Sequence, residues 1–178
     1  EPGGRRYRSA LVLGLGRSGL AAAKLLLAEE TRVTVVDSRE GTGQASAAVS
    51  LRERGAEVLL GVGPDLRGRV PAAAKGAFEV CIVSPGVRAD SEWMAVLRGT
   101  GVETISELQL GFDRCRCPVV AVTGTNGKST LTRLCGEVFS AAGLQVRLGG
   151  NYGMPLCALA PASGESDWIV AEVSSFQL

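Results

Sequence analysis

The sequence predicts an α/β protein with two parallel-sheet domains, the first Rossmann-like and the second begun around a P-loop. Three observations point there. Short apolar runs alternate along the whole chain with Ala- and Leu-rich stretches of helical length, the pattern of parallel strands joined by crossover helices. Two strand-to-helix turns are glycine loops, Gly14-Leu15-Gly16-Arg17-Ser18-Gly19 and Gly124-Thr125-Asn126-Gly127-Lys128-Ser129. The 24 glycines against 4% aromatic residues describe a chain whose special positions are turns rather than aromatic anchors.

The elements follow in order. Ala10-Leu11-Val12-Leu13 is a short apolar run closed by glycines, as in a buried parallel strand. Leu20 to Glu30, rich in Ala and Leu, is expected to be a helix, and Arg32 to Val36 a β-branched strand. Gln44 to Arg54 reads as a helix stopped by Gly55, and Glu57 to Leu60 and Glu79 to Val83 as strands. The Gly- and Pro-punctuated stretch Gly61 to Gly76 takes no assignment. Ser91 to Arg98 is helical with Gly99 past its end, Val102 to Thr104 is a short strand, and Ser106-Glu107-Leu108-Gln109 is a capping box opening one more helix.

Asp113 to Pro118 reads as a linker, after which a new βα unit begins. Val119 to Val122 is its strand, the second glycine loop its turn, and Lys128 to Ala142 its helix, ended by Gly143. Gln145 to Leu148 and Trp168 to Val173 are further strands. The expected domains are therefore 1–114 and 115–178. The second has too few elements to cover both faces of its sheet. The chain is thus expected to be an N-terminal fragment, with a truncated second domain that leaves a sheet edge and an apolar face uncovered.

Lys and Arg (19) nearly balance Asp and Glu (18), and the net charge of +1 provides no electrostatic footprint for nucleic acid or an anionic membrane. No apolar run approaches the roughly 20 residues of a membrane helix. The first residues, Glu1-Pro2-Gly3-Gly4-Arg5-Arg6, lead into a strand without a signal-peptide core. Cys81, Cys115, Cys117, Cys135 and Cys157 make no disulfide framework, and the Cys115-x-Cys117 pair has no histidine in the chain to complete a zinc site. A cytoplasmic protein with mostly buried thiols is expected, with neither nucleic acid nor a membrane as partner.

Four segments carry chemistry. In the second glycine loop, Gly124 and Gly127 allow a turn whose N–H groups converge at a helix N-terminus, Lys128 can reach terminal phosphates, and the Ser129 hydroxyl can meet Mg²⁺. The loop departs from the strict G-x-x-x-x-G-K-[ST] spacing, since Val122 stands at the first glycine position. The first loop is a full G-x-G-x-x-G, with Asp37 at the end of the second strand. That pairing suits a diphosphate next to a sugar, whether in NAD or in a nucleotide-sugar. Ser84-Pro85-Gly86 follows a strand, where backbone can approach a ligand or simply turn. Glu172 is a lone carboxylate in an apolar strand, suited to Mg²⁺ or to a salt bridge.

These segments, with Asp37-Ser38-Arg39, Gly149-Gly150-Asn151 and Glu172-Val173-Ser174-Ser175-Phe176-Gln177-Leu178, resemble the Mur ligases from about Ala10 to the end of the chain. The Thr123–Ser129 loop is shared across that superfamily, and the ending is similar to its D-glutamate-adding branch. The resemblance implies a first domain that binds a UDP-linked substrate, with Arg17 and Ser18 facing the diphosphate, Ser38 and Arg39 approaching uracil or ribose, Gly86 nearby, and Asn151 on the UDP-sugar. It implies ATP on Gly124, Thr125, Asn126, Gly127, Lys128, Ser129 and Thr130 in a P-loop ATPase-type domain. Lys128 and Glu172 would be catalytic, and Ser129 and Glu172 would serve Mg²⁺.

The implied reaction is ATP-dependent addition of D-glutamate to UDP-N-acetylmuramoyl-L-alanine through an acyl phosphate, in peptidoglycan precursor synthesis. In the family, a carbamylated lysine, a histidine and a third domain lie beyond the segments matched here. The chain alone is therefore expected to be inactive, and the full-length protein a monomer. Two other readings stay open: an NAD-dependent oxidoreductase, favoured by G-x-G-x-x-G with Asp37, and a non-catalytic nucleotide-binding module. The first leaves Lys128 and its loop without a role.

Overall fold

The computed structural model describes residues 4–63, 76–88 and 90–174. The chain divides into two compact units, Arg5–Glu107 and Leu108–Leu178, and Gly4 belongs with the second through its amide, which donates to the Asp113 carbonyl at 3.1 Å.

The first unit runs β1 (Ser9–Leu13), α1 (Arg17–Ala28), β2 (Arg32–Asp37), α2 (Thr42–Arg52), β3 (Glu57–Leu60), β4 (Val80–Val83), α3 (Glu92–Thr100) and β5 (Glu103–Ser106). Its sheet is parallel throughout, in the order β3-β2-β1-β4-β5. The chain builds outward from β1 to β3, then returns to lay β4 against the other side of β1. That reversal is a topological switch point, and the crevice it makes lies outside the carboxyl ends of β1 and β4.

All five residues of β1 are buried, which is why the strand reads as an unbroken apolar run rather than an alternating one. Leu11 and Leu13 join Val36, Val62, Cys81, Trp93 and Leu97 in one core cluster. Ala10 and Val12 point to the opposite face by strand alternation, and Ala22, Leu26, Ala48 and Leu51 of α1 and α2 are buried as well. Burial pushes the Cys81 thiol up to about 12, so it packs as a small hydrophobe.

The expected strands and helices are all present, most with shifted ends. Helix α1 starts at Arg17 instead of Leu20, because extended Gly16 serves as N-cap and draws Arg17 and Ser18 into the first turn. Strand β5 runs to Ser106 instead of stopping at Thr104, because its pairing with β4 extends to Val83↔Ser106. Of the unassigned stretch Gly61 to Gly76, residues 64–75 lie outside the described residues; Val62 is buried in the core.

Helix α4 (Glu107–Phe112), which starts at the last residue of the first unit and continues into the second, opens where the capping box was expected, and the Gln109 side-chain amide donates to Asp113 at 2.7 Å. Then come β6 (Val119–Val122), α5 (Lys128–Ala141), β7 (Val146–Gly150), α6 (Leu156–Leu159), a 3₁₀ turn (Ala160–Glu165) and β8 (Trp168–Glu172). The parallel sheet has the order β6-β8-β7, so the last strand inserts between the first two. Helix α6 and the 3₁₀ turn were not anticipated. Four residues are too few to display a helical period, and what places α6 is burial of Leu156 and Leu159 against Ile169 and Ala171 of β8.

Helix α5 packs Thr132 and Gly136 inward and leaves Leu131, Leu134 and Val138 about half exposed. Changing Leu134 and Val138 to Lys should leave the melting temperature unchanged and reduce concentration-dependent light scattering. A lowered melting temperature would show instead that these side chains are packed. Cys81 and Cys157 are buried, whereas Cys115, Cys117 and Cys135 are only half-buried, fewer buried thiols than expected. Among the described residues no helix is long and apolar enough to cross a membrane.

Candidate functional site

In the first unit, three loops leave the same sheet edge, because Leu13 pairs with both Val36 and Val83. They are the Gly14–Gly19 loop after β1, Asp37-Ser38-Arg39 after β2 and Ser84-Pro85-Gly86 after β4. The first is held from two sides. Ser84 donates its hydroxyl to the Gly14 carbonyl at 2.8 Å, and the Asp37 carboxylate accepts the Leu15 amide at 2.6 Å.

Glycine is required twice in this loop. Gly14 has φ +92°, and a Cβ on Gly19 would fall 1.8 Å from the Gly14 carbonyl oxygen, so α1 can approach the loop only without a side chain there. Gly16 differs, since nothing lies within 4 Å of where its Cβ would be. The open space therefore sits at the N-terminus of α1, whose first turn carries Arg17 and no acid to neutralise the helix dipole.

Asp37 is only 3% exposed, and its four hydrogen bonds are all internal. Besides Leu15, it accepts from the Arg39 amide at 2.8 Å and from two nitrogens of the Arg39 guanidinium at 3.1 Å each. Burial opposes its ionisation, but these bonds outweigh burial and hold the carboxyl below the usual carboxylate range. A folded-state pKa below the unfolded one stabilises the fold at neutral pH, and that contribution fades as the pH falls through the folded value. Asp37→Asn should therefore flatten the acid limb of a stability-versus-pH curve; an unchanged limb would show that Asp37 does not titrate this way.

In the second unit, β8 aligns Glu172 with Val122 on one side and Gly150 on the other, so the Gly124–Ser129 loop, the acid and Gly150-Asn151 share one sheet edge. Gly127 caps α5 with φ +77°, and the first turn of α5 has no acidic residue. Lys128 folds back over the loop, its Nζ donating to the carbonyls of Gly124 at 2.7 Å and Thr125 at 3.3 Å. Ser129 donates its hydroxyl to Glu172 Oε2 at 2.5 Å. Glu172 is 7% exposed, so this bond and its backbone pairing settle where its carboxylate stands. Asn151 is pinned by its amide, which donates to the Glu172 carbonyl at 2.9 Å, leaving its side chain exposed.

The structure thus gathers Arg17, Ser18, Ser38, Arg39 and Gly86 at one edge of the first sheet. It gathers Gly124, Thr125, Asn126, Gly127, Lys128, Ser129, Thr130, Glu172 and Asn151 at one edge of the second. Of the motif at the chain's end, residues 175–178 lie outside the described residues. Two roles were not legible in advance: the Ser84 hydroxyl as a tether for Gly14, and Asp37 as an internal acceptor rather than an open ribose ligand. Their only sequence signal was position, at the ends of neighbouring strands. Among the described residues no cluster of three or more His, Cys, Asp or Glu could hold a metal by itself. The paired oxygens of Ser129 and Glu172 fit Mg²⁺, a hard cation that takes few protein ligands and completes its shell with phosphate and water.

Comparison with known proteins agrees with this architecture. The family model described as Mur ligase MurD-like, N-terminal domain, matches residues 8–106. A UDP-N-acetylmuramoylalanine–D-glutamate ligase of Pelotomaculum thermopropionicum is 39% identical over 171 residues, 96% of this chain and 36% of the relative. A ligase of the same description from Desulfosudis oleivorans is 40% identical over 174 residues, 96% of this chain and 36% of the relative. The chain therefore spans about a third of the length of these curated relatives. Among solved structures, a UDP-N-acetylmuramate:L-alanyl-gamma-D-glutamyl-meso-diaminopimelate ligase from Neisseria meningitides superposes with a TM-score of 0.54 at 18% identity, covering 95% of this chain and 55% of that one. A pseudomurein peptide ligase type C from Methanothermus fervidus gives 0.50 at 23% identity, covering 96% and 34%. These two likenesses concern the fold. With the family model covering more than half of its residues, the chain belongs to the Mur ligases, in the group with the MurD-like N-terminal domain.

Proposed function

We propose that this chain is the UDP-substrate and ATP-phosphate portion of a cytoplasmic ligase, monomeric at full length, that adds D-glutamate to UDP-N-acetylmuramoyl-L-alanine in peptidoglycan precursor synthesis. Residues 1–114 form the UDP-substrate domain and 115–178 the start of the ATP domain. The observation that carries the reading is the Lys128, Ser129 and Glu172 constellation at the N-terminus of α5. A chain with a second nucleotide loop of this kind, and with Asp37 already bonded internally, fits two phosphorylated substrates better than one NAD.

In this scheme, Lys128 leaves the Gly124 and Thr125 carbonyls and turns to the ATP phosphates, which the loop amides and α5 cradle. The γ-phosphoryl group passes to the alanyl carboxylate and ADP is released. The amine of D-glutamate then attacks the acyl carbon, loses a proton and expels inorganic phosphate. Ser129 and Glu172 would hold Mg²⁺, which when bound would neutralise charge on the phosphates. Arg17, Ser18, Ser38, Arg39 and Gly86 contact the UDP-linked substrate from the first unit and Asn151 contacts it from the second, and positioning of the reactants does most of the catalytic work in phosphoryl transfer. Contacts to D-glutamate and adenine belong to the part of the relatives that this chain does not match, so the chain alone does not turn over.

Calorimetric titration with UDP-N-acetylmuramoyl-L-alanine, with NADH as comparison, tests the reading. Binding of the UDP conjugate that weakens on changing Arg17 and Ser18 to Ala is expected. Binding of NADH instead would restore the oxidoreductase reading and make the ligase untenable.

A further inference from the structure

One carboxylate joins two of the three loops at the edge of the first sheet. Asp37 Oδ2 accepts the Leu15 amide at 2.6 Å and Arg39 Nη2 at 3.1 Å, while Oδ1 accepts the Arg39 amide at 2.8 Å and Arg39 Nε at 3.1 Å. The guanidinium meets the carboxylate as a two-pronged fork, a geometry that fixes orientation as well as adding strength. Leu15 stands one residue before Gly16, the open position, and two before Arg17, so holding its amide sets the direction in which α1 begins. At the other end of the clamp the Arg39 side chain is 64% exposed, held by Asp37 and presented to solvent.

We infer that Asp37 is a positioning residue for the UDP-linked substrate: it locks the β1–α1 loop and Arg39 into one arrangement and does not itself touch the nucleotide. The inference rests on the UDP reading above. In dinucleotide sites the acid at this place accepts a ribose hydroxyl. Here a ribose donor would have to displace Arg39 or the Leu15 amide from a carboxylate with almost no exposed surface. What the chain offers at the end of β2 is a cation, Arg39, where an NAD site needs an acceptor.

The test is titration of the ¹⁵N-labelled chain with UDP, followed by amide resonances, for the wild type, Asp37→Asn and Arg39→Ala. In the wild type the Leu15 proton should resonate well downfield, as a short bond to a carboxylate requires, and should stay there when UDP binds. Asp37→Asn should move that proton and the Arg39 amide, which also donates to the carboxylate, and weaken UDP roughly 10- to 100-fold, the worth of a hydrogen bond to a charged group, with amides of Arg5–Glu107 away from these two loops unmoved. Arg39→Ala alters an exposed side chain and carries the test if Asp37→Asn does not fold. It should keep the Leu15 signature while weakening UDP. Unchanged UDP affinity in a folded Asp37→Asn, or in Arg39→Ala, would overturn the inference. Loss of the wild-type Leu15 signature on UDP binding would do the same, since the carboxylate would then have turned to the ligand. A wild type in which UDP moves no resonance would instead remove the UDP reading itself, and the inference with it.

Discussion

Replacing Gly150 with alanine is expected to destabilise the second unit by about 3 kcal/mol or more, combining left-handed backbone strain with overpacking. Gly150 ends β7 at φ +83°, and a Cβ there would stand 2.2 Å from the Glu172 carbonyl oxygen. That oxygen is backbone, held in the β7–β8 pairing and by the Asn151 amide at 2.9 Å, so no side-chain rotation relieves the contact. Relief requires β7 to draw away from β8 at the residue that carries the carboxylate. The change should therefore also misplace Glu172 relative to Ser129. Set against the roughly 5–15 kcal/mol that keeps a domain folded, the loss is large. Gly143→Ala is the control, because Gly143 shares a φ of +82° but has nothing within 4 Å of its Cβ position. Urea denaturation followed by circular dichroism should show Gly150→Ala well below Gly143→Ala. Equal midpoints would mean that backbone conformation alone, not contact with Glu172, requires glycine at this position.

Lys128→Ala is expected to have the opposite profile, with stability nearly intact and ATP affinity reduced on the order of 100-fold, the upper range for losing hydrogen bonds to a charged ligand. The bonds that Lys128 makes without nucleotide go to the carbonyls of Gly124 and Thr125, in a loop exposed to water. Water can replace them when the side chain is cut back, so folding loses little. Phosphate oxygens cradled by the loop have no such substitute. Calorimetry with MgATP and thermal melting on the same samples separate the two effects. An unaltered ATP affinity in a folded variant would remove Lys128 from the phosphate site and with it the main support for the ligase reading. In the full-length enzyme the same change should lower kcat roughly 10²- to 10³-fold, the usual scale for deleting one group that stabilises transition-state charge.

Much of the fold was legible because it depends on short-range physics. Glu57–Leu60 and Val119–Val122 appear as strands at the expected limits, since each is a compact apolar or β-branched run bounded by turn residues. The two glycine turns that precede α1 and α5 were readable from glycine spacing, because positive φ at Gly14 and Gly127 is a demand made by the local chain. Helix ends were less legible. Arg17 and Ser18 fall inside α1 because Gly16 adopts an extended N-cap, a choice that depends on how the loop is tethered. Helix α6 was missed because its four residues are ordered by packing onto β8 rather than by any pattern of their own.

By itself, then, the sequence determined the alternation of strands and helices, the two glycine turns and the residue types that could meet phosphate. Each of these is a property of a few consecutive residues. Only the tertiary structure decided the partners. Ser129 meets Glu172 across 43 positions, because β8 inserts beside β6. Asp37 takes the Leu15 amide from 22 positions away and the Arg39 fork from its own loop, so an acid that reads as a ribose ligand is an internal clamp. The reason is physical: whether a polar group faces ligand or protein depends on which donors the folded chain brings within about 3 Å of it. Those donors stand on loops and helix starts that follow strands whose order is not written in any local pattern.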